Sequence, residues 1–332
     1  MGPVPGPYAA VPAVARVRRA VRAVLSECDD GDLVLVACSG GVDSLALAVA
    51  TAAEAPRLGL RVGAVVVDHG LQAGSAGIAA DVGRRLRALG LDPVEVVGVD
   101  VGRSPAGPEA DARTARHAAL DVAATRLGAA LVLLGHTRDD QAEQVLLGLA
   151  RGSGARSLSG MPAARGRLRR PVLGLPRTDL VATCGAHGLA WWDDPMNADP
   201  SFARVRAGRA VADLEDVLGP GVAAALARTA DQLRVDADHL DSLADEAVVV
   251  LGDPPWAAAT LTGLPLAVRS RWWRRALVAA GAPAGQLSSR HTDACDRLLT
   301  HWHGQGPVHV PGTLLVRRLD GRVSVAARPP VE

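Results

Sequence analysis

Short runs of β-branched residues alternate with helical stretches through the first half of this chain of 332 residues. The runs occupy residues 33–37, 62–67, 94–99 and 130–134. The stretches between them repeat apolar residues at helical spacing, and they occupy residues 45–54, 78–89 and 109–127. Because strands that alternate with helices form a parallel sheet covered on both faces, this pattern predicts a doubly wound α/β domain.

The second half of the chain has a different pattern. Two long helical stretches follow residue 203 with no obvious strand between them, at 204–218 and 222–250. Pro254, Pro255 and Gly263 then predict a linker near residues 252–263. Two helices and three short strands after it predict a small α+β domain, at 266–280, 288–301, 308–310, 314–317 and 323–326. We therefore predict a main α/β domain, a helical linker region and a small accessory domain, at 1–202, 203–252 and 253–332.

The composition excludes several kinds of chemistry. The chain contains no lysine, so its 36 basic residues are all arginines. A Walker phosphate loop, a Schiff-base enzyme and a ligase that carries AMP on lysine are excluded, because each needs that amine. Residues 151–177 hold seven arginines and no acid, whereas residues 231–253 hold seven acids and one arginine. Both runs are compatible with solvated surface, and the basic run also suits an anion or a nucleic acid.

The cysteines and the apolar runs indicate a cellular compartment. Cys28, Cys38, Cys184 and Cys295 lie far apart and lack the spacing of a zinc site or a C-x-x-C motif. We therefore expect no zinc and a reduced, cytoplasmic protein. No run approaches the ~20 apolar residues needed to cross a bilayer, so we expect no membrane partner.

The residues after the first predicted strand are candidates for ligand binding, because doubly wound sheets bind ligands at the carboxyl ends of their strands. They read Ser39-Gly40-Gly41-Val42-Asp43-Ser44 and precede a predicted helix. Glycines let the backbone approach a ligand, and the unpaired amides at a helix start attract anions. The run predicts a phosphate-binding loop in which Asp43 holds Mg²⁺ against phosphate oxygens. The alternative is an ordinary glycine turn with Ser44 as the N-cap.

This loop resembles that of the N-type ATP pyrophosphatases, or PP-loop enzymes, which cleave ATP between the α- and β-phosphates. Within that superfamily, the chain is similar to the tRNA(Ile)-lysidine synthetase family from about residue 33 to residue 206. The matching stretches are 67–71, 107–116, 134–143, 151–154, 160–161 and 194–206. The stretch 134–143, which reads LGHTRDDQAE, is the most specific, although Thr137 replaces a histidine common in the family.

The resemblance implies ATP-dependent modification of the wobble cytidine in an isoleucine tRNA with the anticodon CAU. The cytosine carbonyl oxygen attacks the α-phosphate and pyrophosphate leaves. The ε-amine of free L-lysine then displaces AMP, which gives lysidine. ATP and Mg²⁺ are the implied cofactors. The expected nucleotide site comprises Ser39, Gly40, Gly41, Val42, Asp43, Ser44, His69, Gly135 and His136.

The lysine step raises a protonation problem. An amine with a pKa near 10.4 is neutral in only roughly 1 of 2,500 molecules at pH 7, a deficit of about 4.6 kcal/mol. A carboxylate beside the ammonium can bind it and accept the proton, so Asp139, Asp140 and Glu143 are candidates, with Asp43, Asp140 and Glu143 expected to be catalytic. Asp140 can instead close an ordinary capping box with Thr137. The other expected lysine or phosphate contacts are Arg113, Arg116, Arg204 and Arg206.

The expected tRNA contacts lie in two arginine clusters. The clusters are Arg165, Arg167, Arg169 and Arg170, and Arg271, Arg274 and Arg275. Trp272 and Trp273 within the second cluster can offer faces for base stacking, although tryptophan on a helix more often lies in a core. A homodimer is a further expectation that the sequence leaves open.

Two other functions remain as alternatives. The first is thiolation of tRNA by another PP-loop enzyme, which needs a catalytic cysteine pair or an iron–sulfur cluster. Cys38 lies beside the loop without a C-x-x-C partner, which disfavours thiolation. The second is a non-catalytic module that binds nucleotide or tRNA, and the intact loop at residues 39–44 disfavours it.

Overall fold

The computed structural model describes residues 11–70, 72, 74–102, 104 and 107–327 of the chain. The chain divides into two compact units, Met1–Asp231 and Gln232–Glu332. Leu71, at the end of the matching stretch 67–71, lies outside the described residues. Within those residues, no helix has both the length and the apolar character needed to span a membrane.

The first unit contains a mostly parallel sheet with helices on both faces. Its strands are β1 (Leu33–Ala37), β2 (Arg61–Asp68), β3 (Val94–Gly98), β4 (Ala129–Leu134), β5 (Ala164–Arg165) and β6 (Leu168–Arg169). Its helices are α1 (Pro12–Leu25), α2 (Val42–Glu54), α3 (Ser75–Ala88), α4 (Pro108–Leu127), α5 (Arg138–Ala150), α6 (Ala155–Leu158), α7 (Arg177–Ala186) and α8 (Ala203–Leu218). Helix α9 (Val222–Leu251) begins in the first unit and ends in the second.

The order of the strands fixes where a ligand meets the sheet. Six strands are described in the order β3-β2-β1-β4-β6-β5, and β5 is antiparallel to β6 while the other neighbours run parallel. The chain moves outward from β1 to β3 and then returns to the other side of β1 at β4. This reversal places the crevice at the carboxyl ends of β1 and β4. The predicted doubly wound fold is confirmed.

Strand β1 lies at the centre of the sheet, and its residues serve two cores. Val34 and Val36 pack into the cluster formed with α1, α2, α3 and α7. Leu33 and Leu35 point to the opposite face, where they join the cluster formed with α4. Because side chains alternate between the faces of a strand, a strand covered on both faces reads as a continuous apolar run.

Helix α1 was not expected from the sequence. Its apolar positions are three and four residues apart and form a buried stripe, which comprises Val14, Val17, Val21 and Leu25. Arg18 and Arg22 bind the fully buried carboxylate of Glu54 at the end of α2. Burial raises the pKa of Glu54, but the hydrogen bonds from these two arginines outweigh it and hold that pKa below its usual value.

The second unit is the small α+β domain that the sequence predicts. Its strands form an antiparallel sheet in the order β7-β10-β9-β8, and its core contains Trp272 and Trp273. The strands are β7 (Trp256–Ala257), β8 (Val308–Val310), β9 (Leu314–Leu319) and β10 (Arg322–Ala327). The helices are α10 (Ala258–Thr262), α11 (Leu266–Ala279) and α12 (Ser289–Thr300).

The regions expected to connect the domains are themselves packed. Trp256, Ala258 and Leu261 are buried in the core of the second unit, so residues 252–263 form β7 and α10, contrary to the expected linker. Ala244 and Ala247 of α9 belong to the same core. Helix α8 lies in the first unit, so the region 203–252 is divided between the two units.

Candidate functional site

Internal hydrogen bonds fix the conformation of the loop after β1. The hydroxyl of Ser44 accepts the Ser39 N–H at 3.2 Å and donates to the Gly41 carbonyl at 3.0 Å. Gly40 has a φ of +85°, and a Cβ there would collide with Val82. Gly41 is the N-cap of α2 and has no side chain to cover the first amides of the helix. Uncapped amides of this kind attract anions, and Ser44 lies in the first turn and is not the N-cap.

Gly135 lets the end of β4 meet the start of α2. A Cβ at this position would lie 3.1 Å from the Asp43 carbonyl carbon and oxygen and from the Ser44 nitrogen. Since these are backbone atoms, they cannot rotate away as a side chain would. The absence of a side chain at Gly135 therefore brings the residues after β1 and β4 into one site.

Asp43 lies in the first turn of α2 beside Arg177, the first residue of α7. Arg177 Nε lies 3.6 Å from Asp43 Oδ2, while Asp43 Oδ1 is buried without a hydrogen-bond partner among the described residues. Burial raises the pKa of Asp43 to about 6, against the opposing effect of Arg177. A buried carboxylate oxygen without a partner is a suitable ligand for Mg²⁺, which usually combines one or two carboxylates with substrate phosphates.

Two aspartates after β4 stabilise the starts of helices. Asp140 Oδ2 accepts the Thr137 N–H at 2.7 Å and the Thr137 hydroxyl at 2.8 Å, which closes a capping box at the start of α5. Asp139 Oδ2 accepts the Arg177 N–H at 2.8 Å and so joins α5 to the start of α7. The capping interaction of Asp140 is therefore present, and the lysine contacts of both residues stay predictions.

Glu143 lies one turn further along α5 and faces α8. Its Oε1 occupies the space where a Cβ of Gly208 would lie, at 2.7 Å from that position. Burial raises the pKa of Glu143 to about 7, the charge of Asp140 adds to the rise, and Arg204 opposes it. Within this cluster, Glu143 is a carboxyl group whose proton exchanges near neutral pH.

Two histidines at the edge of the sheet are held neutral. Burial lowers the pKa of His136 to about 3, and its Nδ1 accepts a hydrogen bond from Arg170 Nε at 3.1 Å. Burial also lowers the pKa of His69, with a further contribution from Arg116. His69 Nδ1 is buried and finds no hydrogen-bond partner in the described part of the chain. Neutral imidazoles beside arginines can accept or donate hydrogen bonds without adding charge.

The predicted arginines differ in what they contact. Burial lowers the pKa of Arg116, and the charges of Arg113 and Arg204 contribute, so these three guanidinium groups share one neighbourhood. Arg204 Nη2 donates to Asn197 at 3.0 Å, and its Nε lies 3.7 Å from Glu109. The guanidinium of Arg206 donates to two backbone carbonyls before α8, those of residues 200 and 201.

The first predicted tRNA cluster lies on and beside the β5–β6 hairpin. Arg165 and Arg167 are exposed, and Arg167 donates to Thr125 at 3.0 Å. Arg169 binds Glu27 at 2.7 Å. Arg170 is buried and also donates to a backbone carbonyl, which leaves it little surface for RNA.

In the second predicted tRNA cluster, the basic residues contact groups of their own unit. Arg271 lies 3.2 Å from Asp241, and Arg275 binds Asp241 and Asp245. Arg274 donates to the carbonyls of residues 284 and 287. The adjoining tryptophans are buried, so they offer no exposed face for base stacking, contrary to that interpretation.

Sequence reasoning missed two features of this site. Arg177 belongs to the arginine-rich run 151–177, and no local signal connects it with Asp43. A cavity of about 430 Å³ beside the loop is lined by Gly40, Ile78, Trp191 and Trp192, among other residues. The Trp192 N–H donates to the Gly40 carbonyl at 3.0 Å, which fixes this wall of the cavity to the loop.

Comparison with known proteins identifies the family. A family model described as a PP-loop domain matches residues 14–214, and one described as a TilS substrate binding domain matches residues 257–324. The chain is 56% identical over 319 residues to the tRNA(Ile)-lysidine synthase of Thermobifida fusca, which covers 95% of this chain and 98% of that protein. The chain belongs to the tRNA(Ile)-lysidine synthase family.

A second member of the tRNA(Ile)-lysidine synthase family, from Streptomyces coelicolor, is 57% identical over 299 residues and covers 88% of this chain and 85% of its own length. A solved structure of a U34-tRNA thiolase from Methanococcus maripaludis has a TM-score of 0.56 at 19% identity. It covers 67% of this chain and 79% of that protein, and it shows a shared fold. The resemblance to the tRNA(Ile)-lysidine synthase family read from the sequence is thus confirmed.

Proposed function

We propose that this chain joins L-lysine to C2 of the wobble cytidine of CAU-anticodon isoleucine tRNA and converts ATP to AMP and pyrophosphate. The chain is an ATP-using ligase of the tRNA(Ile)-lysidine synthase family. The observation that carries the proposed mechanism is the position of Asp43, which lies 3.6 Å from Arg177 in the first turn of a helix whose N-cap is glycine. The charge of the same guanidinium also acts on Glu143, whose pKa is about 7, so an anion site and a proton acceptor suit adenylation followed by amine attack.

The first step transfers adenylate to the base. The cytosine carbonyl oxygen attacks the α-phosphate, and the bond to the β-phosphate breaks as pyrophosphate leaves. The amides at the start of α2 stabilise the charge on the phosphates, and Arg113, Arg116 and Arg177 supply positive charge nearby. Asp43 would hold Mg²⁺, which when bound supplies further positive charge to the phosphate oxygens.

The second step needs a neutral amine, and Glu143 is the carboxylate best suited to take the proton. Transfer from an ammonium of pKa 10.4 to a carboxylate of pKa 4.5 costs about 8 kcal/mol, whereas transfer to one of pKa about 7 costs about 4.6 kcal/mol. Asp140 uses Oδ2 in the capping box. The neutral lysine nitrogen then attacks C2 of the adenylated cytidine, and AMP departs with the former carbonyl oxygen.

The tRNA and the cellular setting complete the proposal. Arg165 and Arg167 are the exposed arginines of the hairpin and suit RNA phosphates. The match of residues 257–324 to a substrate-binding family supports tRNA binding by the second unit. We place the reaction in the cytoplasm, where tRNA is modified, and a homodimer stays a prediction.

One assay tests the proposed reaction. Protein, ATP, Mg²⁺ and labelled lysine are incubated with CAU-anticodon isoleucine tRNA and, separately, with the methionine tRNA that has the same anticodon. We expect label in the isoleucine tRNA alone. Label in neither tRNA would remove the proposed reaction, whereas label in both would retain the chemistry and remove the selectivity.

A further inference from the structure

Gly208 occupies a position on α8 where glycine is costly. It lies inside a helix, where glycine is less stable than alanine by about 1 kcal/mol. A Cβ at Gly208 would lie 2.7 Å from Glu143 Oε1 and 3.4 Å from its Cδ. The carboxyl group of Glu143 therefore rests in space that any other residue at 208 would fill.

The surroundings of Gly208 determine what must move if this space is filled. Ala207 and Val211 of α8 are buried, and Val211 packs with Ala142 of α5 in a small apolar cluster. These contacts keep α8 close to α5. The carboxyl group is the end of a flexible side chain, so it yields before the helices separate.

Arg204 reinforces this arrangement. It lies four residues before Gly208 and so shares its helix face, and its charge opposes the raised pKa of Glu143. Helix α8 thus acts on the Glu143 carboxyl group in two ways, through the positive charge of Arg204 and through the space left by Gly208. This gap sets where the carboxylate lies, and the charge of Arg204 stabilises its ionised form.

We propose that Gly208 is a positioning residue for the amine step, because the space it leaves sets where the Glu143 carboxylate meets the ammonium of lysine. The inference rests on the role of Glu143 in the proposed function. Gly208 touches no reacting atom and acts through Glu143 alone. Substitution of Gly208 should therefore impair the use of lysine and spare the adenylation of tRNA.

Gly208→Ala tests this inference. We expect kcat/KM for lysine to fall about 10- to 100-fold through a higher lysine KM, because a displacement of the Glu143 carboxylate by about 1 Å can reduce the rate by that factor. Pyrophosphate release from ATP and tRNA in the absence of lysine should be unchanged. The melting temperature should not fall, because alanine favours the helix. Lysine kinetics equal to those of the wild type would overturn the inference.

Gly185→Ala is the matched control. Gly185 lies in helix α7, is exposed, and a Cβ there would meet no atom within 4 Å among the described residues. The same substitution there should leave lysine kinetics unchanged. An equal loss in both variants would attribute the effect to helix stiffening and would overturn the role of Gly208.

Two further variants separate this inference from the proposed function. Normal lysine kinetics in Glu143→Gln would remove the role of Glu143 itself, whereas an impaired Glu143→Gln with a normal Gly208→Ala would overturn only the positioning role. If Gly208→Ala fails to fold, Glu143→Ala/Gly208→Ala should restore folding, because it removes the carboxyl group that collides. Failure of the double variant to fold would also overturn the inference.

Discussion

Asp140 and Glu143 lie one helical turn apart on α5, and their surroundings give them different properties. Asp140 receives two hydrogen bonds from Thr137 and stabilises the start of the helix. Glu143 rests against Gly208, and burial raises its pKa to about 7. The same side-chain chemistry therefore serves structure at one position and suits proton transfer at the other.

The raised pKa of Glu143 predicts a pH-dependent cost to folding. The folded state holds this proton more tightly than the unfolded state, so the free energy of unfolding falls as pH rises from 4.5 to about 7. Glu143→Gln removes this loss. The free energy of unfolding of the variant, measured relative to that of the wild type, should therefore rise by about 1–3 kcal/mol from pH 4.5 to pH 8.5, with solvent screening taken into account.

Urea unfolding at these two pH values measures the effect of Glu143→Gln. Glu246→Gln, on an exposed position of α9, is the control and should show no such gain. Asp43 has a raised pKa of the same sign, so some dependence on pH remains in the variant. A gain that is equal at both pH values would contradict the prediction.

Arg177 is placed to bind the phosphates of a nucleotide, and a substitution tests this role. Its guanidinium is half exposed beside Asp43, where it can contact the phosphates of a nucleotide at the loop. Arg177→Gln removes a charge-assisted hydrogen bond and should weaken ATP binding by about tenfold or more. Titration calorimetry without tRNA or lysine measures this affinity. Arg84→Gln, which alters an exposed pair with Asp81, should leave it unchanged, and equal affinities in both variants would refute the role of Arg177.

The sequence predicted part of this site because part of it is local. The phosphate loop and the carboxylates of α5 each lie within a few consecutive residues whose pattern indicates their chemistry. Arg177 and Gly208 contribute through contacts between segments that are distant in the chain. A guanidinium directed at Asp43 and a gap opposite Glu143 depend on how α7 and α8 pack, which no local pattern encodes.

At the level of helices, α1 fixes the far end of the helix that carries the phosphate loop. Glu54 is fully buried at the end of α2, and Arg18 and Arg22 supply its ion pairs. Arg16 binds Asp179 of α7 through two hydrogen bonds of 2.7 and 2.6 Å. Helix α1 thus holds both α2 and α7, which carry Asp43 and Arg177.

Glu54→Gln should destabilise the protein, because it leaves two arginines beside a neutral group. Because the side chains of Arg18 and Arg22 are 24% and 52% exposed, water partly solvates the charges left behind, and the free energy of unfolding should fall by about 1–3 kcal/mol. Since the pKa of Glu54 is lowered on folding, its contribution is complete above pH 4.5 and is lost as pH falls below that value. Urea unfolding at pH 7.5 should show the full loss.

Asp81→Asn provides the comparison for Glu54→Gln. Asp81 pairs with Arg84 and Arg85 on the exposed face of α3, where such pairs contribute less than about 1 kcal/mol. Equal losses in the two variants would mean that the ion pairs of α1 add nothing beyond a surface contact.

The close contact between Gly135 and the start of α2 can be tested by adding a side chain at Gly135. Gly135→Ala places a methyl group against the backbone of Asp43 and Ser44, so the two elements must move apart. We expect a loss of about 1–3 kcal/mol in the free energy of unfolding, together with weaker ATP binding. Gly174→Ala, at a position where a Cβ would meet no described atom within 4 Å, should change neither quantity. A Gly135→Ala protein with normal ATP affinity would show that this contact does not shape the loop.

The longer strands could be predicted from the sequence, and the shortest ones could not. The four strands at 33–37, 62–67, 94–99 and 130–134 correspond to β1 to β4, because buried parallel strands read as apolar runs. The strands β5 and β6 are two residues long and leave no such run. Helix α1 was missed because arginines alternate with its apolar stripe, and their partners lie on other helices.

For the whole molecule, a net charge of +1 gives little long-range attraction for tRNA, so we expect binding to depend on local groups of arginines. Arg165 and Arg167 are exposed, whereas Arg271 and Arg275 form ion pairs with aspartates of α9. Arg165→Gln/Arg167→Gln should lower the dependence of tRNA affinity on salt, by about one unit of slope for each arginine that no longer binds a phosphate.

Arg271→Gln/Arg275→Gln is the comparison for that prediction, because it removes the same number of charges from arginines that already have acidic partners. Binding titrations at several salt concentrations measure both slopes. We expect a smaller change in this second variant. A larger change there would indicate that the second unit contributes the main phosphate contacts.

Arg177 is attached in two independent ways, through its backbone to Asp139 and through its side chain to Asp43. A nucleotide that draws the guanidinium toward its phosphates leaves the backbone tether intact. We therefore expect Arg177 to reorient its side chain on nucleotide binding while its backbone hydrogen bond to Asp139 keeps the start of α7 in place.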